Sequence, residues 1–118
     1  MSVTVYGLPN CDTCRKARRW LERADVTHVF VDYRADPVPA AILRDWAARL
    51  GGWESLVNKS GPTWRHLLPQ RKNPASGPEW LLLLKEYPAL IRRPVLVRDQ
   101  AQVTVGFSAA GFKRLFGG

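Results

Sequence analysis

Acidic side chains, cysteines and histidines are scarce in this chain. Ten Asp and Glu stand against 18 Lys and Arg, which leaves a formal net charge of +8. Two cysteines, Cys11 and Cys14, and two histidines, His28 and His66, are its only soft metal ligands. A structural zinc site takes about four such ligands. Here no second cysteine pair exists and the histidines lie far apart in sequence, so no metal is expected. Two cysteines are also too few for the disulfide framework of a small secreted domain. No apolar run approaches the roughly 20 residues that span a bilayer, and the first residues lack the charged and apolar blocks of a secretory signal. The expectation is a cytoplasmic protein with no membrane partner. In that reducing compartment a cysteine pair serves catalysis or redox sensing more often than it serves as a staple.

Apolar material is ample. With 118 residues, 46% of them apolar, and five tryptophans, the chain can build the core of a single domain, 1–118. The basic excess would attract polyanions. Its cations are dispersed, however, clustering only at Arg15–Arg23 and Arg92-Arg93, and no nucleic-acid motif accompanies them. A solvated basic face is the reading, nucleic acid is not expected as a partner, and the charge suits a small anionic substrate.

Both cysteines fall in the stretch Tyr6-Gly7-Leu8-Pro9-Asn10-Cys11-Asp12-Thr13-Cys14-Arg15-Lys16-Ala17. Val3 to Tyr6 is a β-branched and aromatic run that ends in Gly-Leu-Pro-Asn, a strand followed by a turn. Cys14, Ala17, Leu21 and Ala24, with Trp20 beside them, recur at helical spacing to about Ala24. Cys11 therefore sits at the helix start, where free N–H groups and the helix dipole favour an anion. Its thiol should ionise below the usual value of about 8.5. Arg15 and Arg18 are expected to add positive charge there and to outweigh Asp12. Cys14 lies one helical step on and within disulfide reach, which makes Cys11 the nucleophile and Cys14 the resolving thiol. The competing readings of the pair are half a zinc site and two inert small hydrophobes.

Further along, Val26 to Tyr33 reads as a second strand, parallel to the first. A breaker-rich loop leads to a helix from about Pro39 to Leu50, with Ile42, Leu43, Trp46, Ala47 and Leu50 inward. A helical turn follows at Trp53–Val57, then a short helix capped by Thr63 through Leu68. Pro69–Pro78 reads as a surface loop. Ser76-Gly77-Pro78-Glu79 has the pattern of a capping box before a helix to about Glu86. Val95–Arg98 and Gln102–Val105 flank Asp99-Gln100-Ala101 as a hairpin. Ser108 caps a last helix to Phe116, with Gly117-Gly118 frayed. The sum is an α/β domain: strand, helix, strand, an all-helical insertion at about 38–87, then two strands and a helix.

Tyr-Gly-x-x-x-Cys-Asp-Thr-x-Arg-Lys-Ala resembles the opening of the arsenate reductase (ArsC) and Spx family, most of all its YffB-type members. The likeness continues at Leu56-Val57-Asn58-Lys59-Ser60-Gly61 and Thr63-Trp64-Arg65, at Leu90-Ile91-Arg92-Arg93-Pro94-Val95 and at Gly106-Phe107-Ser108. The resemblance implies a thioredoxin-like (glutaredoxin-like) fold with the helical insertion. It implies an anion-binding loop around Cys11, with Asn10, Asp12, Thr13 and Arg15, and with Lys59 as a weaker point charge. It also implies that Arg93, preceding a cis-proline at Pro94, holds an oxyanion or thiolate. Two further arginines of true arsenate reductases are replaced by Asn58 and Gly106, which speaks against arsenate turnover. The expected activity is glutathione-dependent thiol–disulfide reduction, with no bound cofactor, glutathione as co-substrate, and a small or protein disulfide as substrate. The alternatives are arsenate reduction proper and a Spx-type redox regulator that binds RNA polymerase.

Overall fold

A computed structural model gives the architecture of residues 1–117. Residues 1–36 and 93–117 form one compact unit and residues 37–92 a second.

The first unit is built on β1 (Val3–Gly7), where Val3, Val5 and Gly7 are buried in alternation because successive side chains of a strand face opposite ways. A turn at Pro9-Asn10 leads into α1 (Asp12–Arg23), which buries Cys14, Ala17 and Leu21. Ala24, expected on that stripe, is exposed: it is the C-cap, and Asp25 at φ 56° turns the chain away. β2 (Val29–Asp32) pairs parallel with β1, from Thr4↔Val29 to Gly7↔Asp32. It starts three residues later than the apolar run, because the Val26 N–H closes the end of α1 on Leu21 O at 2.9 Å and Val26 packs on the core. β3 (Val95–Arg98) runs antiparallel to β1, and β4 (Gln102–Val105) antiparallel to β3. The hairpin turns through Asp99 and Gln100, both in the left-handed region.

Strand order is β2-β1-β3-β4. With the helices that flank it, this sheet is a thioredoxin-like fold. The last helix of the chain, Ala109–Phe116, is capped by Ser108, whose Oγ accepts the Gly111 N–H at 3.0 Å. Gly117, expected to be frayed, instead ends that helix at φ 67° with its N–H on Lys113 O; Gly118 lies outside the described residues. The core joins Val3, Val5, Ala17, Leu21, Leu96 and Phe112. Edge-on Trp20 and Phe107 pack on Phe112 at 5.5 and 4.8 Å.

The second unit is helical, and contacts extend it from the expected 38–87 to 37–92. α2 (Ala40–Arg49) buries Leu43, Trp46 and Ala47, whereas Ile42 is 40% exposed. α3 (Trp53–Leu56) and α4 (Pro62–Arg65) are single turns. Thr63 is not the cap of α4, which ends well short of Leu68. Pro62 takes the first helical position, where its missing N–H costs nothing, so Gly61 becomes the N-cap. Pro69–Lys72, within the expected loop, forms a 3₁₀ turn. α5 (Gly77–Glu86) follows Ser76, whose Oγ accepts the Glu79 N–H at 3.4 Å, while the Glu79 carboxylate takes the N–H of Ala75. The helix Ala109–Phe116 of the first unit is thus α6.

Candidate active site

Cys11 is the N-cap of α1. Its backbone is fixed on both sides, with its N–H on Leu8 O at 3.2 Å and its carbonyl taking the Arg15 N–H at 3.0 Å. The sulfur does not complete a cap hydrogen bond, yet the Cys14 N–H lies towards it and favours the thiolate. Partial burial resists ionisation. It is outweighed by that N–H, by the Arg93 guanidinium and by the Cys14 thiol donating to the Cys11 sulfur, so the Cys11 thiol ionises below its ordinary value of 9.0.

Cys14 behaves oppositely. It is 1% exposed, and burial raises its pKa to about 11 against the opposing hydrogen bond from the Leu8 N–H. Once Cys11 is charged, a second thiolate beside it is disfavoured further. One sulfur is thus held as an available nucleophile and its neighbour as a protonated reserve. Gly7 makes this fit possible: a Cβ placed there would lie 2.5 Å from Cys14 Sγ. Both cysteines are free thiols.

Arg93 reaches the pair from the segment before β3, and the Arg93–Pro94 peptide is cis. Burial opposes its charge, but hydrogen bonds to the Tyr33 hydroxyl and to the Cys11 sulfur keep the guanidinium protonated. Tyr33 is 1% exposed. Burial raises its pKa despite Arg93, so its phenol stays neutral and braces the guanidinium.

Of the residues expected at the site, Cys11, Cys14 and Arg93 come together within the first unit, and Pro94 is buried next to Arg93 in the chain. Asn10, Asp12, Thr13 and Arg15 are exposed on the turn and first turn of α1. Arg15, expected to add charge at Cys11, is exposed and paired with Asp12. Asp12 draws it to 3.9 Å and holds Lys16 at 3.2 Å, and the groups that lower the Cys11 thiol most are Cys14 and Arg93. Arg18 lies 4.1 Å over the Phe30 ring instead of facing the sulfur. Lys59 belongs to the second unit, where its ammonium pairs with Glu54 at 2.5 Å and lies 5.3 Å from the Trp64 ring. Tyr33 and Gly7 were not legible as site residues. Their signal was positional: both stand at the carboxyl ends of parallel strands, where sites in α/β sheets gather.

No group of three or more potential metal ligands exists among the described residues, and none of their helices is long and apolar enough to cross a membrane.

Residues 6–115 match the ArsC family. The chain belongs to the ArsC family. An uncharacterised protein of Haemophilus influenzae is 38% identical over 114 residues, 97% of this chain and 98% of that one. A solved YffB protein superposes with a TM-score of 0.86 at 33% identity, over 96% of this chain and 97% of its own. The global transcriptional regulator Spx of Bacillus subtilis is 27% identical over 115 residues, 95% of this chain and 85% of its own. Within this ArsC-family chain, Asn58 is used locally, its Oδ1 accepting the Ser60 N–H at 2.9 Å. Gly106 sits at φ 80°, where side chains are rarely tolerated.

Proposed function

We propose that this ArsC-family protein is a glutathione-dependent thiol–disulfide reductase of a reducing, cytoplasmic setting. The observation that carries the reading is the opposed protonation of Cys11 and Cys14, with Arg93 on the first and burial around the second.

The Cys11 thiolate attacks one sulfur of a substrate disulfide, forming a mixed disulfide and releasing the first substrate thiolate. The high proton affinity of Cys14 keeps it from competing at that stage. The departing thiolate takes the Cys14 proton, and the new Cys14 thiolate attacks the Cys11 sulfur. The second substrate sulfur leaves as a thiolate that takes its proton from water, and Cys11–Cys14 is left as a disulfide. Two glutathione molecules then reduce it, one through a mixed disulfide and one by displacing the first. In sum, one substrate disulfide and two glutathione thiols give two substrate thiols and one glutathione disulfide. Arg93 binds whichever anion occupies the mouth of the site, a thiolate or a carboxylate.

Arsenate is the poorer substrate in this reading, because Asn58 and Gly106 supply no guanidinium and the backbone at Gly106 disfavours one. The Spx relative supports a second reading, in which oxidation of the pair alters affinity for RNA polymerase. The two differ in turnover. Reduction of hydroxyethyl disulfide by glutathione, followed through NADPH consumption by glutathione reductase, should be catalysed by the wild type and abolished in Cys11→Ser. A wild-type rate equal to the uncatalysed one overturns the reductase and leaves the switch.

A further inference from the structure

The cationic cluster of α1 is not used by the chemistry above. Arg15, Arg19 and Arg23 stand four residues apart, so they form one row along the helix, with Lys16 beside it. The row lies opposite the buried stripe of Cys14, Ala17 and Leu21, and all four cations are exposed. Like charges at this spacing repel. Among the described residues only Asp12 answers them, and it reaches only Arg15 and Lys16. Among the described residues, Arg19 and Arg23 have no acidic partner, and Glu22 on the flank pairs with neither.

The row starts one turn from Cys11. At 1.5 Å per residue it runs about 18 Å from that residue to Arg23, a length that an extended peptide covers in about five or six residues. We infer that the outer face of α1 is a docking strip for acidic polypeptides, which it aligns so that a cysteine two to six positions from their acidic residues meets Cys11. This names a substrate class for the reductase proposed above and rests on that reading. The step remains the one already balanced, with the polypeptide supplying the disulfide.

The test uses the full chain and two disulfide-linked peptides that differ only in Glu or Lys at the second, fourth and sixth positions from cysteine. At low ionic strength the wild type should reduce the Glu peptide at least about tenfold more efficiently in kcat/KM than the Lys peptide. Arg19→Glu combined with Arg23→Glu should remove or reverse that preference and leave hydroxyethyl disulfide turnover unchanged. Salt should erase it as the Debye length falls below about 10 Å. A cysteine-to-serine Glu peptide, titrated by fluorescence anisotropy, reads docking without redox chemistry. It should bind the wild type more tightly than the double variant. Equal rates on the two peptides, or a preference that survives in the double variant, overturns the strip. Arginine-dependent binding of single-stranded RNA that exceeds peptide binding assigns the face to nucleic acid and overturns it too. Failure on hydroxyethyl disulfide with peptide binding intact would strike the reductase reading alone.

Discussion

Gly7→Ala isolates the packing that keeps Cys14 in place. The added Cβ would lie 2.5 Å from Cys14 Sγ, 3.4 Å from Cys14 Cβ and 3.4 Å from Phe30 Cε1. Cys14 is 1% exposed, so relief of the clash means repacking of the buried side chains around the sulfur. Overpacking of this kind costs about 1–3 kcal/mol. An unfolding entropy of about 2.1 cal/mol/K per residue over 118 residues converts that into a fall in Tm of about 4–12 °C. A smaller effect opposes it. Gly7 has no positive φ, so alanine there stiffens the unfolded chain and should stabilise by about 0.4–1 kcal/mol. The clash wins only while the sulfur is present. In a Cys14→Ala background, Gly7→Ala should therefore be neutral or slightly stabilising, with a coupling energy of about 1–3 kcal/mol between the positions. Urea denaturation of the four proteins under reducing conditions measures it. The same loss in both backgrounds would refute the reasoning, because the cost would then not arise at the sulfur.

Two more outcomes follow from the electrostatics. Burial holds Cys14 neutral up to about 11 against 9.0 for the free group, so the stability tied to the neutral thiol is complete below pH 9 and lost from pH 9 to 11. At most roughly 3 kcal/mol should thus disappear from the stability difference between wild type and Cys14→Ala over that window; a flat difference contradicts it. Arg93→Lys keeps the charge but loses the planar fork. It should weaken glutathione binding and slow Cys11 alkylation at neutral pH, each by roughly tenfold, the worth of one charge-assisted hydrogen bond. Arg92→Lys should do little, since Arg92 is exposed and donates to Ser55 O at 3.4 Å. Equal effects at the two positions would indicate a general basic patch.

Periodicity and breakers were enough to read the strands, the main helices and the place of the cysteine pair, because those features are encoded by neighbours in sequence. Arg93 lay outside their reach. Its meeting with Cys11 depends on β3 pairing with β1, and only family resemblance brought it forward. Tyr33 looked like the last residue of a strand, and nothing local marks it as the brace of a guanidinium. Counting cations near in sequence did not point to Arg93, the cation among the main influences on the Cys11 thiol, while Arg15 pairs with Asp12 and Arg18 lies over Phe30. Thr63 shows the same limit: a good capping residue loses its role when the proline beside it starts the helix two positions earlier.

Trapping the first covalent intermediate tests the division of labour between the two cysteines most directly. Brief exposure to one equivalent of glutathione disulfide, acid quenching and intact-mass measurement should show the wild type two hydrogens lighter, as the Cys11–Cys14 disulfide. Cys14→Ala should carry one stable glutathione on Cys11, and Cys11→Ala should remain unmodified over the same interval. An adduct on Cys14 forming as fast in Cys11→Ala, or a wild type that keeps glutathione on Cys11 beside a free Cys14, would contradict the account.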